Sequence, residues 1–498
     1  MIDSQADQGT WYYVVQTMDE LLAKLQSPDR RLEMDGSELR EVLELVLRRL
    51  LPHVDSIDSQ LAWEPPEAGE RSDGSLPDDP GDWEGVIREL FEDHLSPAYN
   101  PASGGYMAYV PGGGLLHSAV ADLIANTVNR YITVWQAAPR LAELEAEVVD
   151  WFRQLAGLPD SGGGYLTTGG SLANWSAVVT ARTCRLPENF LDGVIYTSDQ
   201  AHHSVARAAR LSGFPAGNVQ LVESDSEYRV SLDQLEQRVE EDREAGRRPF
   251  MVVGHAGTTN TGAVDDLAGV ARICRQHQLW FHVDAAYGGA FLLTERGREI
   301  LQGIEHADSV TLDPHKGMFL PYGTGCLLVR DRQDLHRAHA VDVDYMPEMQ
   351  DDPHRVDICQ ISPELSRECR GLRVWLPVKI HGLGTFSNYL DEKLDLAQFA
   401  ARELEMIPGV EILATPQLSI LAFRLAPEGL DADALNELNR EFLDRINRAT
   451  QRIFLSPTSL DGAFAIRICV IVFRTHLEHV QHCIDVIRQA AAELLADR

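Results

Sequence analysis

"SVTLDPHKGMFLPYGTGCLLVR", residues 309–330, holds two short apolar runs, SVTL and CLLV, around a turn rich in glycine and proline that carries a lysine. Apolar runs of this length bounded by turn residues read as buried strands. The lysine is informative in itself, because of 44 basic residues only Lys24, Lys316, Lys379 and Lys393 are lysines. At a strand end, in a chain that otherwise uses arginine, Lys316 is suited to a task a guanidinium cannot perform: once deprotonated, an amine is a nucleophile. Burial and nearby cations are expected to lower its pKa and free that amine.

Outward from this stretch the same pattern repeats. GVIYTS, NVQLV, PFMVVGHA and WFHVD are further apolar runs, and helix-like segments such as RLAELEAEVVDWFRQLAGL lie between runs. Strands alternating with helices predict a mostly parallel sheet covered on both faces, here over residues 115–376. After 377 a long helical segment, the strand candidates EILAT, SILAFRLA and FAIRICVIV, and a last helix VQHCIDVIRQAAAELLA predict a smaller α+β domain. Residues 1–114 read as an N-terminal helical arm. Within it, residues 35–54 place Leu39, Val42, Leu43, Val46, Leu47 and Leu50 at spacings of three and four, an amphipathic helix in need of a partner surface. Residues 64–82, rich in Pro, Gly, Ser and Asp, read as an exposed connector.

Composition narrows the functional classes. The 498 residues are 44% hydrophobic, and 76 acidic against 44 basic residues give a formal charge of -32. A surface this negative repels nucleic acid and anionic membranes. The seven cysteines have no C-x-x-C spacing, which argues against a disulfide framework or structural zinc and for a reducing compartment. The first ten residues, MIDSQADQGT, lack the pattern of a secretory leader, and no run approaches the roughly 18 apolar residues of a membrane span. A cytoplasmic protein without a metal is the expectation.

In open α/β sheets ligands bind outside the carboxyl ends of the strands, and the reactive residue types here fall just after strand candidates. Asp284 ends WFHVD, and a buried carboxylate needs a partner. Taken alone it is equally a helix cap, a metal ligand or the partner of a cofactor's ring nitrogen. Taken alone, His202, in YTSDQAHHSVARAA, is either a capping or core histidine or one that stacks on a flat ring and exchanges a proton, while its neighbour His203 reads as a capping or core histidine. GGGYLTTGGSLANWSAV joins a glycine-rich loop to a helix, and amides at such a junction cradle a phosphate, with Gly169, Gly170 and Ser171 as candidates. The stretch matches neither G-x-G-x-x-G nor the P-loop.

In this order, glycine-rich loop, histidine, strand-end aspartate and D-P-H-K lysine, the motifs resemble the group II pyridoxal-phosphate-dependent amino acid decarboxylases, the family of aromatic L-amino acid decarboxylase. The resemblance runs from Asp35 to near the C-terminus and includes SGGYMAYVPGGG, HAGTTNTGAVDDL and ECRGLRVW. It implies fold type I of the pyridoxal-phosphate enzymes, with Lys316 holding pyridoxal 5′-phosphate in a Schiff base and Asp284 paired with the pyridine nitrogen. His202 would stack on the ring and Ala286 pack on its other face. Gly170, Ser171, Thr259, Asp313 and His315 would hold the phosphate, although Asp313 replaces an amide often found in animal members. Tyr345, in AVDVDYMPEM, matches the tyrosine of the family's mobile loop, which supports protonation after carbon dioxide leaves. Tyr109, Val110 and Gly112 fall where the family lines its side-chain pocket, with Tyr131 and Thr133 reaching in from the other subunit of a homodimer. Val110 and Gly112 leave more space than the bulkier residues of animal members, which favours an aromatic amino acid substrate. Alternatives on the same scaffold are an aldehyde synthase, a carbon–carbon lyase, an acidic amino acid decarboxylase, or a relative that kept the fold without the activity.

Overall fold

The computed structural model describes residues 18–26, 32–65, 74–76, 79–95, 98–341 and 355–496. The chain divides into two units, residues 1–56 with 69–96 and residues 57–68 with 97–498.

The first unit is helical, with helices at Met18–Leu25, Gly36–Ser56 and Trp83–Glu89. The expected start of the middle helix is a reciprocal cap: Asp35 Oδ1 accepts from the amides of Ser37 and Glu38, at 2.8 and 3.0 Å, while Glu38 Oε2 accepts from the amide of Asp35 at 2.8 Å. None of the 21 residues of that helix is buried, so its apolar stripe, including Leu39, Leu47 and Leu50, is open.

The second unit contains two sheets. The larger has seven strands, β1 Gly163–Thr167, β2 Gly193–Ser198, β3 Val219–Val222, β4 Arg248–His255, β5 Trp280–Ala285, β6 Ser309–Leu312 and β7 Gly325–Val329, in the order β1-β7-β6-β5-β4-β2-β3. Neighbours from β3 to β6 pair in parallel, and β7 runs antiparallel between β6 and β1. Alternate residues serve opposite faces: Val252, Val283 and Leu328 join one buried cluster, and Met251, Val253, Leu327 and Val329 the other. All the expected apolar runs of this region are strands. The stretch GGYLT was not among them, because two of its five residues are glycine, and β1 shows why they are there: a Cβ on Gly164 would sit 2.0 Å from the Leu327 carbonyl oxygen.

The smaller sheet is antiparallel, with β8 Val410–Ala414, β9 Ile420–Leu425, β10 Ser456–Leu460 and β11 Ala463–Cys469 in the order β10-β11-β9-β8. Helices Leu383–Glu405, Ala432–Thr450 and Leu477–Ala496 bury their apolar faces with it in a separate core. The parallel strands β2, β4, β5 and β6 end at Ser198, His255, Ala285 and Leu312. The chain therefore brings the residues that follow them to one edge of the large sheet.

Candidate active site

A cavity of about 280 Å³ lies at that edge. Its lining includes Gly169, Gly170 and Ser171 from the turn after β1, His202 after β2 and Thr259 after β4. Asp284 and Ala286 from the end of β5, and Asp313, His315 and Lys316 after β6, complete the set expected around a cofactor.

The glycine turn leaves the start of its helix open. Some helices of this unit start with a side-chain cap, as Ser231, Asp266, Thr294 and Asp431 do for theirs. Helix Gly170–Arg185 starts after Gly169 with no side-chain cap. The first backbone bonds there go from the amides of Leu172 and Ala173 to the Gly169 carbonyl, so among the described residues the amides of Gly170 and Ser171 are left without an acceptor. Two free amides at the positive end of a helix form a phosphate cradle. A Cβ on Gly170 would lie 3.0 Å from Asp313 Oδ2 and 3.1 Å from Ala286 Cβ, so the residue is glycine for space.

Lys316 lies on a short turn, Pro314–Gly317, with Nζ 3.0 Å from Asp313 Oδ2. Burial alone favours its neutral amine, but the carboxylates of Asp313 and Asp284 outweigh that, and its pKa is raised rather than lowered. This corrects the expectation from sequence: carboxylates, not cations, face the amine, and in this state it is an ammonium. His315 donates from Nδ1 to the Thr324 carbonyl at 2.7 Å, which leaves Nε2 facing the cavity.

Asp284 is held ionised although buried. Burial raises its pKa, while the nearby His255, Lys316, an amide bond from Asn174 and His282 together bring it below the ordinary carboxylate value. Asn174 Nδ2 donates to Asp284 Oδ2 at 2.8 Å, and the Ala286 amide donates to Oδ1 at 3.1 Å. His255, itself bonded to Asp265 at 3.2 Å, has a raised pKa because Asp265 and Asp284 outweigh its burial.

The polarity of the contacts around Asn174 is set from a distance. Trp280 Nε1 only donates, so Ser309 Oγ accepts from it at 2.8 Å and turns its own hydrogen to His282 Nδ1 at 2.8 Å. His282, whose pKa burial pushes down to about 4, is neutral and donates from Nε2 to Asn174 Oδ1 at 3.0 Å. The Asn174 amide nitrogen is thereby directed to Asp284 and to Ser204 Oγ, the latter at 2.9 Å. Ser204 in turn donates to His202 Nδ1 at 2.8 Å, so His202 carries its proton on Nε2, and burial keeps its pKa low. One asparagine thus orients both the carboxylate and the imidazole. His203 stands at the N-cap position of the next helix but is exposed and makes no side-chain cap bond, so it is neither the core nor the capping histidine expected from the sequence.

Sequence reasoning missed Asn174, Ser204, His255 and Tyr287, all of which line the cavity. It also missed Arg467 on β11, buried and donating from Nε to the Asn260 carbonyl at 3.0 Å and from Nη2 to the carbonyls of Thr259 and Tyr109. The positions expected to shape the side-chain pocket lie outside the cavity. Tyr109 is 51% exposed with φ of 53°, and Tyr131 is 36% exposed. Val110 is half-buried and packs against the core beside the sheet. Thr133 is fully buried, its hydroxyl bonded to the Leu365 carbonyl. Gly112 packs against the Lys316 turn, where a Cβ would come 2.9 Å from the His315 carbonyl, so its small size serves that approach as well. Tyr345 lies outside the described residues.

A free-amide cradle, a strand-end carboxylate held ionised and an amine beside them are the parts a pyridoxal phosphate site requires. Residues 65–426 match the model of the pyridoxal-dependent decarboxylase conserved domain. The chain belongs to this family. An aromatic-L-amino-acid decarboxylase from Bacillus atrophaeus is 32% identical over 470 residues, covering 93% of this chain and 97% of the relative. A phenylacetaldehyde synthase from Arabidopsis thaliana is 27% identical over 480 residues, covering 93% and 97%. The crystal structure of Oryza sativa TDC with PLP and tryptamine shares the fold, with a TM-score of 0.88 at 24% identity over 93% of this chain and 99% of that one. This pyridoxal-dependent decarboxylase therefore has the fold type I architecture that its strand pattern and motifs led us to expect, and no described helix is long and apolar enough to cross a membrane.

Proposed function

We propose that this decarboxylase converts an aromatic L-amino acid, such as tryptophan, tyrosine, phenylalanine or dopa, to its amine and carbon dioxide. The observation that carries the substrate class is the cationic content of the cavity: Lys316 is its one lysine and, among the described residues, no arginine lines it. A substrate with a second carboxylate has no guanidinium to meet. Arg467, the nearest candidate by position, is committed to backbone carbonyls and to Ser456 Oγ at 3.1 Å, and Arg130 is exposed away from the lining.

When bound, pyridoxal phosphate supplies a ring that accepts the electron pair released as the carboxylate leaves. The chain's residues prepare for this. The free amides of Gly170 and Ser171 hold the phosphate, with Thr259 and His315 beside them. Lys316 provides the amine for covalent attachment. Asp284, anionic and fixed by Asn174 and the Ala286 amide, supplies the carboxylate that keeps the ring nitrogen protonated. His202, neutral with its proton on Nε2, offers a flat face and a hydrogen-bond donor to the substrate, and Ala286 leaves room on the other side. Tyr345 completes the set as the proton donor to the carbon that carbon dioxide has left. Its hydroxyl favours the amine over the aldehyde as product.

A homodimer accounts for the open apolar faces. Leu116, Val120, Leu123, Ile124 and Val128 are exposed on helix Leu116–Val128 at helical spacing, and no residue of helix Gly36–Ser56 is fully buried. Seven free cysteines support a cytoplasmic location. The substrate class is tested by comparing kcat/KM for tyrosine, tryptophan and dopa with that for glutamate and cysteine sulfinate. An advantage for the aromatic substrates of about 10⁴-fold or more is expected, and equal or reversed preference sinks the assignment.

A further inference from the structure

Asp313 stands where a carboxylate is least welcome. It caps the turn that carries Lys316, with its side chain 2% exposed, and its Oδ2 lies 3.0 Å from where Gly170 would carry a Cβ, against the first residue of the phosphate cradle. Its two oxygens differ. Oδ2 faces Lys316 Nζ at 3.0 Å, while Oδ1 is buried without a hydrogen-bond partner among the described residues. A buried acceptor with no donor is costly, and the cost of an anion there grows when a second anion arrives beside it.

Attachment of the cofactor weakens the one side-chain donor that Asp313 has among the described residues. Lys316 Nζ is an ammonium with three N–H groups before it bonds, and a nitrogen double-bonded to carbon with at most one afterwards. The other charged or titratable groups facing Asp313 do not replace it. On its own turn, His315 Nδ1 donates to Thr324, and Nε2 is 3.9 Å from Asp313 Oδ2, beyond hydrogen-bond reach. From neighbouring elements, the nearby His202 bonds Ser204 through Nδ1 and makes no hydrogen bond to Asp313 among the described residues, and Cys326 on β7 is a thiol whose pKa burial raises.

We infer that Asp313 takes up a proton when the cofactor binds and then holds the phosphate as a hydrogen-bond donor, as an amide would at this position. The inference rests on the cofactor site described above. In the step, Lys316 and the cofactor aldehyde join through a carbon–nitrogen double bond with loss of water, and one proton, from the Lys316 ammonium or from solvent, ends on Asp313. Cofactor retention thereby becomes pH-dependent through a single carboxyl.

The test counts protons as apoenzyme is loaded with pyridoxal phosphate, by calorimetry in buffers of different ionisation enthalpy, for the natural protein and for Asp313→Asn. The natural protein is expected to take up about one proton per site more than the variant, and its affinity to weaken relative to the variant by up to about tenfold per pH unit as pH rises. Equal proton counts with parallel affinity profiles overturn the inference. Should Asp313→Asn not fold, the infrared difference spectrum of the natural protein labelled with ¹³C-aspartate decides: a protonated-carboxyl band appearing on loading supports the inference, and its absence overturns it. Failure of the natural protein to bind pyridoxal phosphate at all refutes the cofactor site itself, a distinct outcome.

Discussion

Replacing Asn174 by Asp changes the site by one atom type and no volume. Asn174 is 2% exposed, and its amide nitrogen lies 2.8 Å from Asp284 Oδ2, so the variant sets two carboxylates face to face in the core. Two charges about 4 Å apart at an effective dielectric of about 20 repel by about 4 kcal/mol. The alternative, holding one proton at pH 7 on a group whose ordinary pKa is about 3.9, also costs about 4 kcal/mol. With a proton in place the new carboxyl donates to Asp284 as the amide did, so the penalty disappears in acid. The sign follows: the introduced acid has a folded pKa raised above its unfolded value, and the variant loses about 1.4 kcal/mol per pH unit as pH rises from about 4 until the folded value is passed. Urea denaturation of apoenzyme and variant from pH 4.5 to 8 measures this. A difference that does not change with pH, or one below about 1 kcal/mol at pH 7, refutes the placement of Asn174 against an ionised Asp284.

Three further outcomes are expected. Lys316→Ala abolishes the borohydride-fixed cofactor adduct seen by mass spectrometry at residue 316 and removes about 1–3 kcal/mol of apoenzyme stability; because the lysine pKa is raised in the fold, that difference persists through neutral pH and is lost only as pH climbs past about 10.4. Gly112→Ala forces a methyl to within 2.9 Å of the His315 carbonyl, and the expected result is a loss of about 1–3 kcal/mol of stability together with about tenfold weaker cofactor binding in a fluorescence titration. Tyr345→Phe lowers amine yield and raises aldehyde, ammonia and peroxide, and an unchanged product ratio removes Tyr345 from the mechanism.

The sheet was legible because buried parallel strands read as continuous apolar runs, and GVIYTS, WFHVD and SVTLD each became one. β1 and β10 were not, since GGYLT and SPTSL owe their strand character to a partner rather than to their composition. In the site, residues just after strands were legible by type and place. The network beneath them was not, because Asn174 meets Asp284 across 110 residues and Arg467 meets Thr259 across 208, and no local pattern records such meetings. The direction of the Lys316 shift failed for the same reason. Asp313 stands three residues away in plain sight, but only the turn Pro314–Gly317 brings its carboxylate onto the amine.

The central claim, decarboxylation of an aromatic amino acid to its amine, is tested most directly by supplying the purified protein with pyridoxal phosphate and a panel of L-amino acids while carbon dioxide, amine, ammonia and peroxide are followed together. Carbon dioxide and matching amine in equal amounts from tryptophan, tyrosine, phenylalanine or dopa, without ammonia or peroxide, is the expected result. Equimolar ammonia and peroxide in place of amine, or carbon dioxide from none of these substrates, contradicts it.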